Sequence, residues 1–199
     1  MALTIVNVGY LSTNYWVISA GNSRILVDLG YPGTMGTMCK RLHQMDIPRK
    51  EICYALATHY HIDHAGLAQE LKLAGVALIV IDIQVPHIPL MKQFTKSQDH
   101  YVDIASDGNV IISTTESRDL LARAGIPGEI LHTPGHSDDS VSLLLDDGSA
   151  FTGDLTPEEL AWGEAENLVK TSWQHLREKG ASHIYPGHGN IRPILYSLA

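Results

Sequence analysis

The stretch THYHIDH, residues 58 to 64, follows directly on the apolar run Ile52 to Ala57, and it limits the fold more than any other part of the chain. From residue 59 to residue 64 the chain places His59, His61, Asp63 and His64 at the mouth of a strand-like segment. On an extended segment residues two apart point the same way, so His59 and His61 can reach one cation together. Asp63 and His64 follow as the chain turns into a helix, and their side chains swing away, which fits either a second cation or a share in the first. These residues cannot close two coordination spheres by themselves. The remaining donors must come from the ends of other strands, and three short segments offer them: His136 in TPGHSDDSVSL, Asp154 in FTGDL and His188 in YPGHG. A glycine beside each lets the backbone turn sharply and approach a cation closely. Any fold for this chain must therefore gather several strand ends at one place.

The local pattern supplies those strands. Apolar runs bounded by Gly and Asn predict strands at 3–8, 15–20 and 24–28, then a helix over about 34–46 closed by Pro48. A strand at 52–57 leads into the histidines, and Asp63 or His64 opens a helix carrying Leu67, Leu71 and Leu73 on its apolar face and stopped by Gly75. After a strand at 76–81, residues 82–109 hold two prolines and no clean period, which predicts an irregular excursion with one short helix, placed to cover a site. Strands follow near 110–113, 129–133, 140–145 and 149–153, then a helix over 164–179 ended by Gly180 and a last strand at 182–185. No linker divides the chain, and 199 residues with 44% apolar content suit a single domain over 1–199. The tripeptide Pro-Gly-His recurs at 134–136 and 186–188, each time behind a β-like run, and predicts two halves that mirror each other.

Charge narrows the partners. Fourteen Lys and Arg against 22 Asp and Glu leave −8 with no basic cluster, so a surface for nucleic acid is not expected. The opening MALTIVNV lacks the basic head and long apolar middle of a secretory signal, and no run of about 18 apolar residues follows, so no membrane association and a cytoplasmic location are expected. Cys39 and Cys53 are too few for a disulfide scaffold and are expected as reduced, partly buried thiols. His43, His132, His175 and His183 read as surface or edge residues. His87 and His100 share the 82–109 excursion with Phe94 and Tyr101, either on a solvated loop or on a substrate wall. Trp16, Tyr31 and Trp162 are further candidates for a pocket, although Trp16 on a strand fits the core better.

In order along the chain, ILVDLG, THYHIDHAG, PGHS, FTGD and YPGHG resemble the metallo-β-lactamase superfamily, and the resemblance spans nearly all of it. It implies an α/β fold, a four-layer αββα sandwich with the site at one edge. It also implies that His59, His61 and His136 hold one metal, that Asp63, His64 and His188 hold the other, and that Asp154 bridges the two. Asp28 in ILVDLG would orient a ligand histidine, unless it is a plain turn residue. Mixed nitrogen and oxygen donors point to two Zn2+, with iron or manganese as alternatives. Such a pair acidifies a shared water to hydroxide at about neutral pH, and Asp63 is the catalytic group able to orient that hydroxide and pass its proton on.

The substrate reading rests on departures from known branches. The eleven residues after His188 leave no room for the helical domain of glyoxalase II-like thioesterases, and no basic arm suggests tRNA processing. Asp154 stands where the β-lactamases proper usually carry Cys or Ser, and HxHxDH differs from the flavodiiron pattern. A small-molecule ester, thioester or lactone is therefore expected as substrate, with slight support for a lactone from Tyr60 and Tyr31. The alternatives are a phosphodiesterase of the same fold, a mononuclear iron enzyme like the persulfide dioxygenases, or a metal-binding protein without catalysis. Oligomeric state has no signature in the sequence.

Overall fold

Alternation along the strands decides the architecture. In β2 (Trp16–Ala20) and β3 (Ser23–Val27), Trp16, Ile18, Ile25 and Val27 point one way and Val17 and Leu26 the other, and all of them are buried. A sheet buried on both faces needs a layer on each side. The computed structural model, which describes residues 3–194, supplies both. β1 (Thr4–Asn7), β2, β3, β4 (Ile52–Leu56), β5 (Ala77–Ile81) and β6 (Val110–Ile112) form a six-stranded sheet in that order. β7 (Gly128–His132), β8 (Val141–Leu145), β9 (Ser149–Gly153), β10 (His183–Pro186) and β11 (Arg192–Pro193) form a five-stranded sheet, in which each strand neighbours the next in sequence.

Three cores separate four layers. Val17, Leu26, Leu78 and Val80 of the first sheet pack outward on Met38 and Leu42 of helix α1 (Met35–Gln44) and on the short helices that follow β4. Trp16, Ile18, Ile79 and Ile81 face inward and meet Val141, Leu143 and Phe151 of the second sheet. Leu144 and Ala150 then turn outward onto Val169, Trp173 and Leu176 of the long helix over Glu166–Glu178. The fold is the expected αββα sandwich. Within the sheets, β3 runs parallel to β4, β9 runs parallel to β10, and β7 is antiparallel to β8, itself antiparallel to β9. The carboxyl ends of β3 and β4 in the first sheet therefore open on one edge, as do those of β7, β9 and β10 in the second.

Several local expectations change. The single helix after Asp63 is two, α2 (Ile62–Ala65) and α3 (Ala68–Leu73), broken at Gly66 and Leu67. Gly66 keeps helical dihedrals and lies so close to the Ile62 carbonyl and the Pro32 ring that a Cβ would have no room, and the backbone leaves the helical path at Leu67, with φ of −94° and ψ of 7°. Helix α4 (Ser117–Arg123) lies where the apolar period indicated no element. Its signal is local: the Ser113 amide and hydroxyl both donate to Glu116 Oε2, at 2.8 and 2.7 Å, and so set the turn that starts it. α5 is the Glu166–Glu178 helix. Residues Asp82–Phe94 form one 3-10 run instead of a single short helix, because Pro86 and Pro89 inside it lack the donors an α-helix needs.

Cys39 is half-buried, but Cys53 is exposed. The register of β3 against β4 slips between Arg24 and Ile25, pairing Ile52 and Tyr54 and leaving Cys53 as the extra residue of a bulge. The Pro-Gly-His tripeptides lie at the ends of two strands of the same sheet, β7 and β10, so the repeat does not relate one half of the sandwich to the other. Among the described residues no helix is long and apolar enough to cross a membrane.

Candidate metal centre

Beyond β4, β7, β9 and β10 the chain carries His59, His136, Asp154 and His188 to the shared edge, and α2 adds Asp63 and His64. His59 Nε2 lies 3.0 Å from His61 Nδ1, which lies 3.1 Å from His136 Nε2. Asp63 Oδ2 stands 3.3 Å from His64 Nε2 and 3.2 Å from His188 Nε2. Asp154 Oδ2 is 3.3 Å from each of those two nitrogens and 3.8 Å from His136 Nε2. All the candidate ligands named from the sequence thus come together, as two groups with Asp154 between them. Donor atoms of His59, His61 and His136 fall within 4.8 Å of one another, as do those of Asp63, His64 and His188, and those of His59, His64 and Asp154.

Asp28 sits beneath this array, 1% exposed, with φ of +61° at the end of β3. An aspartate tolerates that left-handed backbone better than most residues, and the turn aims its carboxylate inward. Oδ1 accepts from the Thr58 amide at 2.8 Å and the Thr58 hydroxyl at 2.9 Å, while Oδ2 stands 2.9 Å from His64 Nδ1. Because the Thr58 hydroxyl donates to Asp28, it accepts from His59 Nδ1 at 3.1 Å and leaves His59 Nε2 unprotonated toward the site. The turn-residue reading of Asp28 gives way to a positioning one. Gly153, at φ +52°, brings its backbone against the same Thr58 side chain.

Electrostatics follow from this packing. Burial, reinforced by the neighbouring His64, His136 and His61, holds His59 well below the usual imidazole range. Burial opposes a charge on His64 too, but Asp28, Asp154 and Asp63 outweigh it and raise His64 well above that range. Burial would raise Asp63 and Asp154, yet the close approach and charge of His64 hold both below the ordinary carboxylate value, with help from Thr13 at Asp63. Asp154 Oδ1 and both ring nitrogens of His64 are buried without an aligned hydrogen bond, even though carboxylate oxygens stand 2.9 and 3.3 Å from the ring. Atoms left in that state are costly unless a partner satisfies them. A divalent cation is such a partner, and imidazole nitrogen with carboxylate oxygen suits zinc, iron or manganese.

Sequence reasoning missed two residues that hold these ligands. The Thr13 hydroxyl donates to Asp63 Oδ2 at 2.8 Å, and His188 Nδ1–H donates to the Ser12 carbonyl at 2.7 Å. Both lie in a turn far from the motifs in sequence, and nothing local marks them. Other candidates separate clearly. Trp16 is core, its indole N–H bonded to the Pro186 carbonyl at 3.1 Å. Tyr60 is buried in the helix-side core and does not line the site, since the backbone alternation that turns His59 and His61 to the edge turns Tyr60 inward. Tyr31 stays beside the site, its phenol pushed up by burial and by the Asp63 carboxylate. Tyr101 packs on the helix-side core with its hydroxyl near Met91, and His100 packs on Gly33. Phe94, 67% exposed, places its ring 6.5 Å from that of His61. Trp162 is 84% exposed.

Gly187 is packed where a Cβ would collide with Asp154 Oδ1 and lie 2.6 Å from His64 Cε1. Gly187→Ala should therefore push the Asp154 carboxylate aside and lower bound metal well below wild type, with the far-ultraviolet spectrum unchanged. Equal metal content in the two proteins would show that the carboxylate has room to spare.

A sandwich that draws histidines and aspartates from both of its sheets to one edge is built as a metallo-hydrolase. The chain belongs to the metallo-beta-lactamase superfamily, whose profile matches residues 8–188. It is 28% identical to a probable metallo-hydrolase of Methanocaldococcus jannaschii over 96% of this chain and 94% of that one. It is 28% identical to a beta-lactamase-like protein 2 homolog of Caenorhabditis elegans over 90% of this chain, spanning 56% of the nematode protein. The chain thus covers nearly all of the archaeal relative but little more than half of the animal one. A metallo-beta-lactamase family protein from Thermus thermophilus has the same fold, with a TM-score of 0.73, 18% identity and coverage of 96% and 74% of the two chains. The BLEG-1 B3 metallo-beta-lactamase aligns at TM-score 0.72 and 18% identity over 96% and 94%.

Proposed function

We propose that the chain is a hydrolase of small acyl substrates, an ester, thioester or lactone, working with two divalent cations, zinc first among them. The observation that supports it is the double grouping itself: His59, His61 and His136 on one side, Asp63, His64 and His188 on the other, with Asp154 Oδ2 facing both. Two cations in such a set supply a water acidified to near neutral pH and a Lewis acid for the carbonyl oxygen. The chain's own part is to place and hold. Asp63 stays ionised beside His64 and Thr13 and is the group suited to orient the attacking water and accept its proton. Ser137 is not a nucleophile on this reading, its hydroxyl being bonded to that of Ser140 at 2.8 Å.

A mononuclear iron oxygenase would leave the second group without a task, so the intact Asp63, His64 and His188 set favours hydrolysis. Elemental analysis of the purified protein, joined to a panel of an ester, a thioester, a lactone and a phosphodiester, decides between them. Two zinc ions per chain with acyl cleavage support the proposal. One iron with oxygen uptake, or cleavage of the phosphodiester alone, overturns it.

Phe94 offers an apolar face next to His61 and is the part of the 82–109 excursion best placed to read the substrate. Phe94→Ala should leave metal content unchanged and shift the ratio of kcat/KM between two substrates by about 10 to 200-fold, the worth of roughly 1–3 kcal/mol of apolar contact. An unchanged ranking across the panel would remove this residue from substrate choice.

A further inference from the structure

Gln84 is fully buried, which is unusual for an amide, and lies in the 3-10 run after β5. Its Nε2 donates toward the carbonyls of Ala57 at 3.1 Å, Thr58 at 3.3 Å and Asp139 at 3.3 Å, while Oε1 accepts the Ile81 amide at 3.1 Å. Three carbonyls around one end and an N–H at the other leave the amide a single orientation. Asp139 is 2% exposed, and its Oδ2 accepts the Tyr60 amide at 2.7 Å. Its other oxygen stands 3.8 Å from His87 Nδ1. The Val141 amide adds a bond to the Thr58 carbonyl at 2.8 Å. Together these contacts tie the loop that carries His59 and His61, from the first sheet, to the loop that carries His136, from the second.

We propose that Gln84 and Asp139 are positioning residues for the His59, His61 and His136 group. They set the distance between the two loops, and so the affinity of that group for its cation, without touching cation or substrate. Asp63 and His188 of the other group are placed by separate partners, Thr13 and Ser12, so damage here should be selective. Donors must converge within a few tenths of an ångström to bind well, and outer contacts of this kind typically govern affinity by about 10 to 100-fold. The inference rests on the two-cation reading for its consequence in catalysis, but its central claim concerns metal affinity and is measured apart from turnover.

The experiment is a zinc titration of metal-free wild type, Asp139→Ala, Asp139→Asn and Gln84→Glu against a chromogenic chelator, with circular dichroism and thermal unfolding on each. Asp139→Ala should weaken one zinc site by about 10 to 100-fold and spare the other. Asp139→Asn, which keeps an oxygen for the Tyr60 amide, should recover most of that loss. Gln84→Glu turns a carboxylate oxygen toward three carbonyls and should weaken the same site. In the variants that bind two zinc ions, kcat should fall with KM little changed. If Asp139→Ala gives no folded protein, the contrast of the Asn and Glu variants carries the test: one near wild type, the other weakened at one site. Both sites weakened alike, no weakening, or an Asn variant as poor as Ala would each overturn the proposal. Wild-type protein that binds two zinc ions but cleaves nothing in the panel would refute the hydrolase reading and leave this one standing.

Discussion

Replacing Asp154 by Ala is expected to give a folded protein that retains neither cation through gel filtration and loses hydrolysis by about 1,000-fold or more, since metal Lewis acidity is worth several kcal/mol at the transition state. The reason is its place between the groups: Oδ2 is 3.3 Å from both His64 Nε2 and His188 Nε2 and 3.8 Å from His136 Nε2, and Oδ1 has no other partner. Without that carboxylate the negative charge that balances two cations falls, and no other carboxylate among the described residues faces both groups. His61→Ala is the instructive comparison. It removes a donor from one group only, so Asp63, His64, His188 and Asp154 should keep close to one cation per chain while activity is lost. Metal analysis separates the two outcomes, and an Asp154→Ala protein with wild-type metal content would end the bridging assignment.

Asp28→Ala should act on stability and affinity together. It leaves the buried Thr58 amide without an acceptor, at about 1–3 kcal/mol, and puts Ala in a left-handed conformation that costs roughly 1–2 kcal/mol more. Zinc affinity should drop by about 10 to 100-fold, because His64 loses the carboxylate that fixes its ring. Asp28→Asn divides the two effects. Asparagine tolerates the turn and still accepts from Thr58, so the metal-free protein should lose less thermal stability than the Ala variant. Its amide N–H would face His64 Nδ1, the wrong group for the required tautomer, so affinity should still fall. An Asn variant that binds zinc like wild type would return Asp28 to a purely structural role.

The sequence carried more of the site than of its support. Each candidate ligand follows an apolar run or sits beside a glycine, and this short-range pattern survives translation into one dimension: His59 behind Leu56, Asp154 behind Gly153, His188 behind Gly187. The layers came from the family resemblance, and the structure gives their physical cause: β2, β3 and β8 are buried on both faces and must be covered on each. The residues that were not found are those whose work is done by a hydrogen bond across the fold. Ser12 and Thr13 look like any turn, and Gln84 in an irregular segment looks solvated until its fully buried amide is seen. Tyr60 was misplaced because its neighbours in sequence face the opposite way.

The donors come from both sheets and span residues 59 to 188, so no part of the chain can assemble the site alone. In an unfolded chain these groups are scattered, and cations held as proposed would bind the native state almost exclusively. By mass action, a ligand at 1,000 times its dissociation constant then adds about 4 kcal/mol to the free energy of unfolding. That is a large share of what an ordinary domain possesses. For such a protein metal supply and chain survival are one variable, and a cell short of the ion would lose the molecule as well as its activity.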